Sequence, residues 1–498
     1  MFTLEDILQG NDGTVYLHNG ATPDLEQVFP SAQHDSRQVG RGDLFVAIKG
    51  AHVDGHRFIP MIAEVGAGAV LCTEPAGDVA DDFLQIVVPD VVKALHATAR
   101  VRTRRQEHMT LIGITGSNGK TSTKEAVASV LSRQAPTLKT YASYNNELGY
   151  PLTLLRLEAQ HRYAVLEMGA QWVGELSWLC ETIARPNWSI VTNVGAAHLG
   201  YFGSQERVVM AKSELVEALA ADGIAILNYD DSNVRSMGEK TRARVLYYGL
   251  GEGAEVRGSA IAGDTLRGCH FTLSYRGQEA HVQLRLPGEH QGTREGYPYH
   301  GRETHVQLRL PGEHGVTIAL AAAAAGCAAE MSLDDMRDAL EELSPAKGRG
   351  EIKPGPNGST LIDDTYNANR QSIIAIMRAM QNAQIAPGGR RWAVLGDIFE
   401  LGQYARAEHR ASGEALAGVV DYLVAIGDEA RYYVEGAIRS GMPAEHVYYC
   451  DADVENASEL EAAKRAAADL LKREVRSGDL VLLKGSRGMR IETILDML

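Results

Sequence analysis

Residues 113–124 read Gly-Ile-Thr-Gly-Ser-Asn-Gly-Lys-Thr-Ser-Thr-Lys, and no other stretch limits so tightly what this chain can fold into. The apolar, β-branched run 111–115 predicts a buried strand, and Ala126, Val127, Val130 and Leu131 share one face of a helix over 121–131. Gly116 and Gly119 lie between the two, followed by Lys120 and Thr121. Strand, glycine turn and helix start form the context of a phosphate-binding loop, where backbone N–H groups and a helix N-terminus receive anionic oxygens. The common spacing would place its first glycine at Ile114, so this is a shorter Gly-x-x-Gly-Lys-Thr variant. A plain glycine turn beside a surface lysine is the bland alternative, and the register of all three parts argues against it. A nucleoside triphosphate is the expected ligand. Lys120 would bridge its outer phosphates, Thr121 would hold Mg²⁺, and Gly116, Ser117, Asn118, Gly119 and Ser122 would complete the cradle.

At 498 residues the chain is too long for one core, and roughly three domains of about 150 residues are expected. A formal charge of −15 speaks against a general nucleic-acid or membrane-surface binder, because both partners are anionic. It leaves nucleotide binding open, since a local nest of N–H groups and one lysine suffices. The five cysteines are scattered, odd in number and without a Cys-x-x-Cys pair, so neither a disulfide framework nor a zinc site is expected. The first residues carry no basic region followed by an apolar core, and the apolar run 316–329 is too short to span a bilayer. A soluble, cytoplasmic protein without membrane insertion is expected.

Short strands (44–48, 69–72, 84–88) alternate with helical runs such as 58–65 in a first α/β domain, 1–105, whose basic end 100–105 reads as a linker. Strands at 163–168, 189–194 and 223–228 alternate with helices in a central domain, 106–345, predicting a mainly parallel sheet around the phosphate loop. After Pro345-Ala346-Lys347-Gly348 comes a third α/β domain, 346–498, with strands at 360–363, 391–395, 422–426 and 480–484. The decapeptide His-Val-Gln-Leu-Arg-Leu-Pro-Gly-Glu-His occurs twice, at 281–290 and 305–314. Two copies are too few for a solenoid. The second runs into the apolar helix from Val316, so the first copy with 291–304 reads as a tandem insertion near 281–304 that forms a hairpin or excursion.

Four further segments narrow the chemistry. Glu167 and His198 close apolar strand runs, where ligands collect in open α/β sheets; Lys212 is placed at the start of a helix; and Asp363 to Asn369 ends another strand in a polar cluster. Each has an ordinary structural explanation taken singly, which is weaker for the set. These residues, together with Asp35-Ser36-Arg37, Gly42-Asp43-Leu44-Phe45-Val46-Ala47, Asn145-Asn146-Glu147-Leu148-Gly149, Leu395-Gly396-Asp397 and Lys484-Gly485-Ser486-Arg487, give a chain that resembles the Mur ligases, the ATP-dependent amide-forming enzymes of peptidoglycan synthesis. The resemblance covers essentially the whole chain apart from the insertion.

It implies a UDP-substrate domain, a central ATPase and a C-terminal Rossmann-like domain. The late motifs resemble the member that joins D-alanyl-D-alanine to UDP-N-acetylmuramoyl-tripeptide through an acyl phosphate, a step in cell-wall biogenesis on which cell shape and division depend. By the resemblance Thr121 and Glu167 would hold Mg²⁺, His198 a second metal, and Lys212 would carry a CO₂-derived carbamate. Arg349, Asp364, Tyr366 and Asn367 would close over the nucleotide; Ser36 and Arg37 would face the UDP end; Asn145 and Asn146 would meet the sugar-peptide. Asp397, Lys484, Ser486 and Arg487 would serve the dipeptide or closure, and the protein would act as a monomer. One segment departs from the family: Glu313-His314-Gly315-Val316-Thr317-Ile318 lacks the two asparagines expected near the adenine. A ligase for another amino acid, a ligase-like ATPase impaired by the insertion, and a nucleotide switch that hydrolyses without ligating are the alternatives.

Overall fold

The strand Thr110–Thr115 runs into the glycine turn, and the helix Lys120–Ser132 begins at the lysine itself. The structure, a computed structural model, describes the chain apart from residues 12, 18, 19, 51, 52, 196–198, 265–267, 277, 283–304, 309 and 311. Thr110–Thr115 sits inside a ten-stranded sheet, bonded in parallel to Trp188–Val191 on one side and Tyr163–Glu167 on the other. Ile224–Asn228, Arg244–Gly249 and Val256–Asp264 extend the parallel order, and Gly268–Tyr275 then turns it antiparallel. Ile112, Ile114, Val165 and Ile190 pack under Lys120–Ser132 and Gly312–Ala328 in one core, while Leu111, Leu166 and Val191 face the other. Burial on both faces is why these strands read as continuous apolar runs.

Besides a two-stranded pair, Phe2–Thr3 with Val28–Phe29, two larger sheets of five and six strands flank this one. The first has the order Thr14–Tyr16, Gln85–Val87, Ala69–Cys72, Leu44–Val46, Ala32–Gln33, parallel except at Thr14–Tyr16. The last has the order Glu351–Pro354, Thr360–Asp364, Leu480–Lys484, Arg391–Gly396, Tyr422–Ile426, Val447–Cys450, parallel except at its first edge. Separate cores cover its two faces, the doubly wound arrangement that leaves strand C-termini free for ligands.

The basic stretch 100–105 is not a linker. It is the last turn of the helix Val91–Arg104, where cations suit the negative end of the helix dipole. Arg102 donates to the Leu157 carbonyl of the central unit at 2.8 Å, and Arg105 pairs with buried Asp6 of the first unit's own helix Leu4–Gln9 at 2.7 Å, so this turn ties the first unit's helices together and to the central unit.

The repeated decapeptide has a structural counterpart. Gln278–Val282 pairs with Gly268–Tyr275, placing His281 opposite Thr272 and Val282 opposite Phe271. His305–Leu308 pairs with the same strand, Gln307 opposite His270 and Leu308 opposite Cys269. Read back along the second copy, that register would set His305 and Val306 against Thr272 and Phe271, the residues that His281 and Val282 pair with. The two copies thus fit one slot in one register, and the strand neighbour passes from the first to the second. The remainder of the proposed insertion, 283–304, lies outside the described residues. Deleting 281–304 joins Ala280 to His305 and keeps every pairing in register, so the shortened protein should unfold at the same temperature or higher. A fall of several degrees in a calorimetric scan would contradict this shared-slot reading.

Candidate active site

The C-terminal ends of the central and last sheets face each other across a cleft of about 720 Å³. Its floor is the phosphate loop. Gly116 (φ 145°) and Gly119 (φ 78°) hold backbone angles that favour glycine, and a side chain at 116 would also strike the Thr192 hydroxyl. The loop is braced by Asn193, whose carbonyl accepts from the Ser117 N–H and whose Oδ1 accepts from the Asn118 N–H, both at 2.9 Å. Lys120 Nζ folds back to donate to the Gly116 carbonyl at 2.6 Å. Burial lowers its pKa, with Glu167 opposing that shift and Arg349 adding to it.

Glu167 ends the strand Tyr163–Glu167 and is buried. Its Oε1 accepts from Asn145 Nδ2 at 2.8 Å, whereas its Oε2 is buried without a hydrogen-bond partner. Thr121 Oγ1 lies 3.3 Å from Ser143 Oγ and accepts from Arg349 at 3.1 Å. The segment bearing Ser143 and Asn145 is set by Lys124. That lysine is fully buried, donates to the carbonyls of Thr140 (2.8 Å) and Ala142 (2.7 Å), and pairs with Glu125 at 2.9 Å. Ala142 holds a left-handed φ of 48°, which those contacts help to fix.

Lys212 was expected at a helix start. It is instead the eighth of thirteen residues in Gln205–Glu217, because Ser204 caps the helix by accepting from the Arg207 N–H. Depth in the helix buries its ammonium, which donates to the Ala170 carbonyl at a long 3.5 Å, with the Phe202 ring 5.9 Å away. Burial, and the nearby Lys120 charge, bring its pKa down to about 7 against the opposing pull of Glu175 and Glu214. Both carboxylates are engaged elsewhere: Glu175 accepts from the Gln171 N–H at 2.6 Å, and Glu214 from the N–H groups of Gly174 (2.5 Å) and Ser177 (3.1 Å). His198 lies outside the described residues.

The last sheet supplies the opposite wall. Tyr366 shares a hydrogen bond with Ser143, and the guanidiniums of Arg349 and Arg487 stand 4.1 and 5.1 Å from its ring centre. Lys484, buried at the end of Leu480–Lys484, donates to Asp364 (2.6 Å) and to the Asn367 carbonyl (2.9 Å). Ser486 and Arg487 line the cleft as well. Asn145, Asn146 and the loop residues Ser117 to Ser122 complete the set brought together there.

Three sequence candidates stand elsewhere. Ser36 and Arg37 lie outside the cleft lining, Arg37 being exposed and paired with Asp35 at 2.7 Å; neighbouring His34 meets Tyr144 edge-on, 5.8 Å between ring centres. Asp397 sits beneath the wall, accepting from the Glu429 N–H at 3.2 Å, and burial pushes its carboxyl up to about 7. A carboxyl raised by folding binds its proton more tightly in the folded state, so folded stability declines as pH rises from about 4 to 7. The Asp397→Asn variant, neutral throughout, should lose that part of the decline, seen as a flatter unfolding temperature between pH 5 and 8. An unchanged pH profile would remove Asp397 as the cause.

Sequence reasoning missed several residues that line or support the cleft. Lys124 carried a usable signal, a charge on the apolar stripe that continues through Val127, Ala128 and Leu131. Trp172 lines the cleft while half exposed, and follows the strand end at Glu167 where Glu175 anchors its loop. His314, at the start of Gly312–Ala328, overhangs the phosphate loop: a Cβ on Gly119 would lie 3.1 Å from its ring. The amide-poor segment therefore does reach the cleft beside the glycine loop, with Leu310, Gly315 and Ile318 beside it.

A phosphate loop facing a buried carboxylate, closed over by cations from a second doubly wound sheet, defines a nucleotide-dependent enzyme built of α/β units. The chain belongs to the Mur ligase family. It matches the descriptions "Mur ligase family, catalytic domain" over 31–106, "Mur ligase middle domain" over 114–294 and "Mur ligase, glutamate ligase domain" over 348–487. It is 33% identical to the UDP-N-acetylmuramoyl-tripeptide–D-alanyl-D-alanine ligase of Mycobacterium tuberculosis H37Rv, across 95% of this chain and 92% of that one. The crystal structure of MurF from Acinetobacter baumannii superposes with a TM-score of 0.81 at 30% identity, covering 99% and 98% of the two chains. MurF from Thermotoga maritima in complex with ADP gives 0.74 at 25% identity, covering 94% and 96%. The protein is an ATP-dependent, amide-forming ligase.

Proposed function

We propose that the protein joins D-alanyl-D-alanine to UDP-N-acetylmuramoyl-tripeptide in peptidoglycan precursor synthesis. The observation that carries this is the single cleft in which Lys120 and Glu167 of the central sheet face Tyr366, Arg349 and Arg487 of the last one. The late motifs and the relatives' names agree on the substrates. In the first step a terminal carboxylate oxygen of the tripeptide attacks the γ-phosphorus of ATP, the bond to the β-phosphate oxygen breaks, and ADP leaves. Next the amine of the dipeptide attacks the acyl carbon; the tetrahedral adduct loses a proton and expels phosphate as the amide forms. Both reactants of the first step are anionic, so Lys120 and Arg349 serve by neutralising charge where it develops. Arg487, largely exposed at the cleft wall, is suited to the dipeptide carboxylate, while Lys484, bound to Asp364, holds the wall together. Closure between the sheets excludes water, which would hydrolyse the acyl phosphate.

The residues present fit Mg²⁺: the Thr121 hydroxyl and the unpartnered buried Oε2 of Glu167 are hard oxygen donors on the same side of the cleft. When bound there the ion would neutralise phosphate charge. Lys212 fits carbamylation, because a buried amine that titrates near neutrality is available uncharged, and its nitrogen adds to CO₂ with loss of one proton. Among the described residues no helix is long and apolar enough to cross a membrane. We place the reaction in the cytoplasm, where ATP is held, and the working unit as a monomer, since one chain supplies both walls of the cleft.

Tripeptide labelled with ¹⁸O in its terminal carboxylate tests the chemistry. An acyl phosphate delivers one ¹⁸O into the released phosphate; phosphate free of label during amide formation would rule that intermediate out.

A further inference from the structure

The phosphate loop is held from across the cleft by a contact that none of the assigned roles uses. Asn118 has all its polar groups engaged. Its N–H donates to Asn193, and its carbonyl accepts from the Thr192 hydroxyl (2.6 Å) and Asn193 Nδ2 (3.1 Å), all within the central unit. Its side chain looks the other way. Asn118 Oδ1 accepts from Asn369 Nδ2, and Asn118 Nδ2 donates to Gln371 Oε1 at 2.9 Å. Asn369 is itself fixed as the N-cap of the helix Arg370–Asn382, its Oδ1 accepting from the Ser372 N–H at 2.9 Å, so its Nδ2 has a set direction. Gln371 fits a notch at Gly195, where an added Cβ would lie 1.7 Å from Gln371 Oε1. Gly195 in turn donates to the Ser117 hydroxyl at 2.8 Å, returning the contact to the same loop.

We propose that Asn369, with Gln371 beside it, is a positioning residue for ligation: its amide grips Asn118 and ties closure of the last domain to the conformation of the phosphate loop. The proposal rests on the ligase reading above. Because Asn118 is held on one side by the central unit and on the other by the capped helix, a loop displaced from its phosphate-ready shape loses both amide partners. Binding energy realised only in the closed arrangement then raises kcat rather than tightening ATP binding alone.

Asn369→Ser separates this role from a structural one. Serine caps a helix as well as asparagine does, yet is too short to reach Asn118. The contact predicts a fall of about fivefold in kcat, the size of one net neutral hydrogen bond, with an unchanged unfolding temperature. In an Asn118→Ala background the same substitution should have no further effect, as coupled partners require. Equal losses in both backgrounds, or no loss in the native one, would overturn the proposal. Should Asn118→Ala prove inactive, the radius of gyration by X-ray scattering with ADP present decides: Asn369→Ser must expand the protein, and an unchanged radius rejects the latch. Wild-type turnover in the same assay, dependent on both acceptors, reports separately on the ligase reading.

Discussion

Replacing Lys120 by alanine abolishes ligation and leaves the protein folded. The ammonium stands at the head of the Lys120–Ser132 helix, in the glycine loop at the floor of the cleft, with Glu167 and Arg349 as its charged neighbours. A carboxylate must approach a triphosphate that repels it. One preorganised cation in a water-poor site contributes about 10²–10³ in rate, and a P-loop lysine touching the transferred group belongs at the upper end. The cost to folding is small by comparison. Burial disfavours this charge, and its strongest bond, 2.6 Å to the Gly116 carbonyl, lies within a loop braced independently by Asn193. The expected result is loss of kcat by about three orders of magnitude with an unfolding temperature within a degree or two of wild type. A folded variant that ligates at a near-normal rate rejects the role.

The second large effect is at Lys212. Lys212→Ala should lower turnover by about two orders of magnitude, because a carbamate at this position supplies anionic oxygens that the bare amine lacks. Labelled bicarbonate gives an independent readout: a ¹³C carbamate resonance in the wild type, absent from the variant. Only the neutral amine adds to CO₂. With a pKa of about 7 the neutral fraction grows as pH rises, so the resonance should strengthen from pH 6 to pH 8. Absence of any carbamate signal, together with full activity in Lys212→Ala, would remove the modification.

The phosphate loop was legible because its parts are local: a strand, two glycines and a helix start within about twenty residues, each with its own pattern. Glu167 was legible because a carboxylate closing an apolar strand is conspicuous in a parallel sheet. Lys212 was found but misplaced. The N-cap at Ser204 lies eight residues before it, so its burial, and with it the lowered pKa, followed from a helix start that was not read. The arginines at 100–105 looked like a solvated linker because their partners, Asp6 and Leu157, lie far away in sequence. Asp397 points under the wall to a loop 32 residues on. The Asn118–Asn369 grip spans 251 residues, and nothing local to either asparagine announces it. What periodicity cannot supply is which distant polar groups meet, and that decides closure.

Of the departing segment 313–318, His314, Gly315 and Ile318 line the cleft, and the helix that bears them is continuous through Ala328. The doubled strand lies upstream on the far edge of the central sheet, where two copies share one register.

Phosphate release by the purified protein with ATP and Mg²⁺, followed with and without UDP-N-acetylmuramoyl-tripeptide and D-alanyl-D-alanine, tests the ligase reading most directly. The predicted result is release only when both are present, matched one for one by a product whose mass equals the two substrates joined with loss of water. Equal release without the dipeptide or the tripeptide, and no joined product, would contradict it and leave a nucleotide hydrolase on a ligase fold.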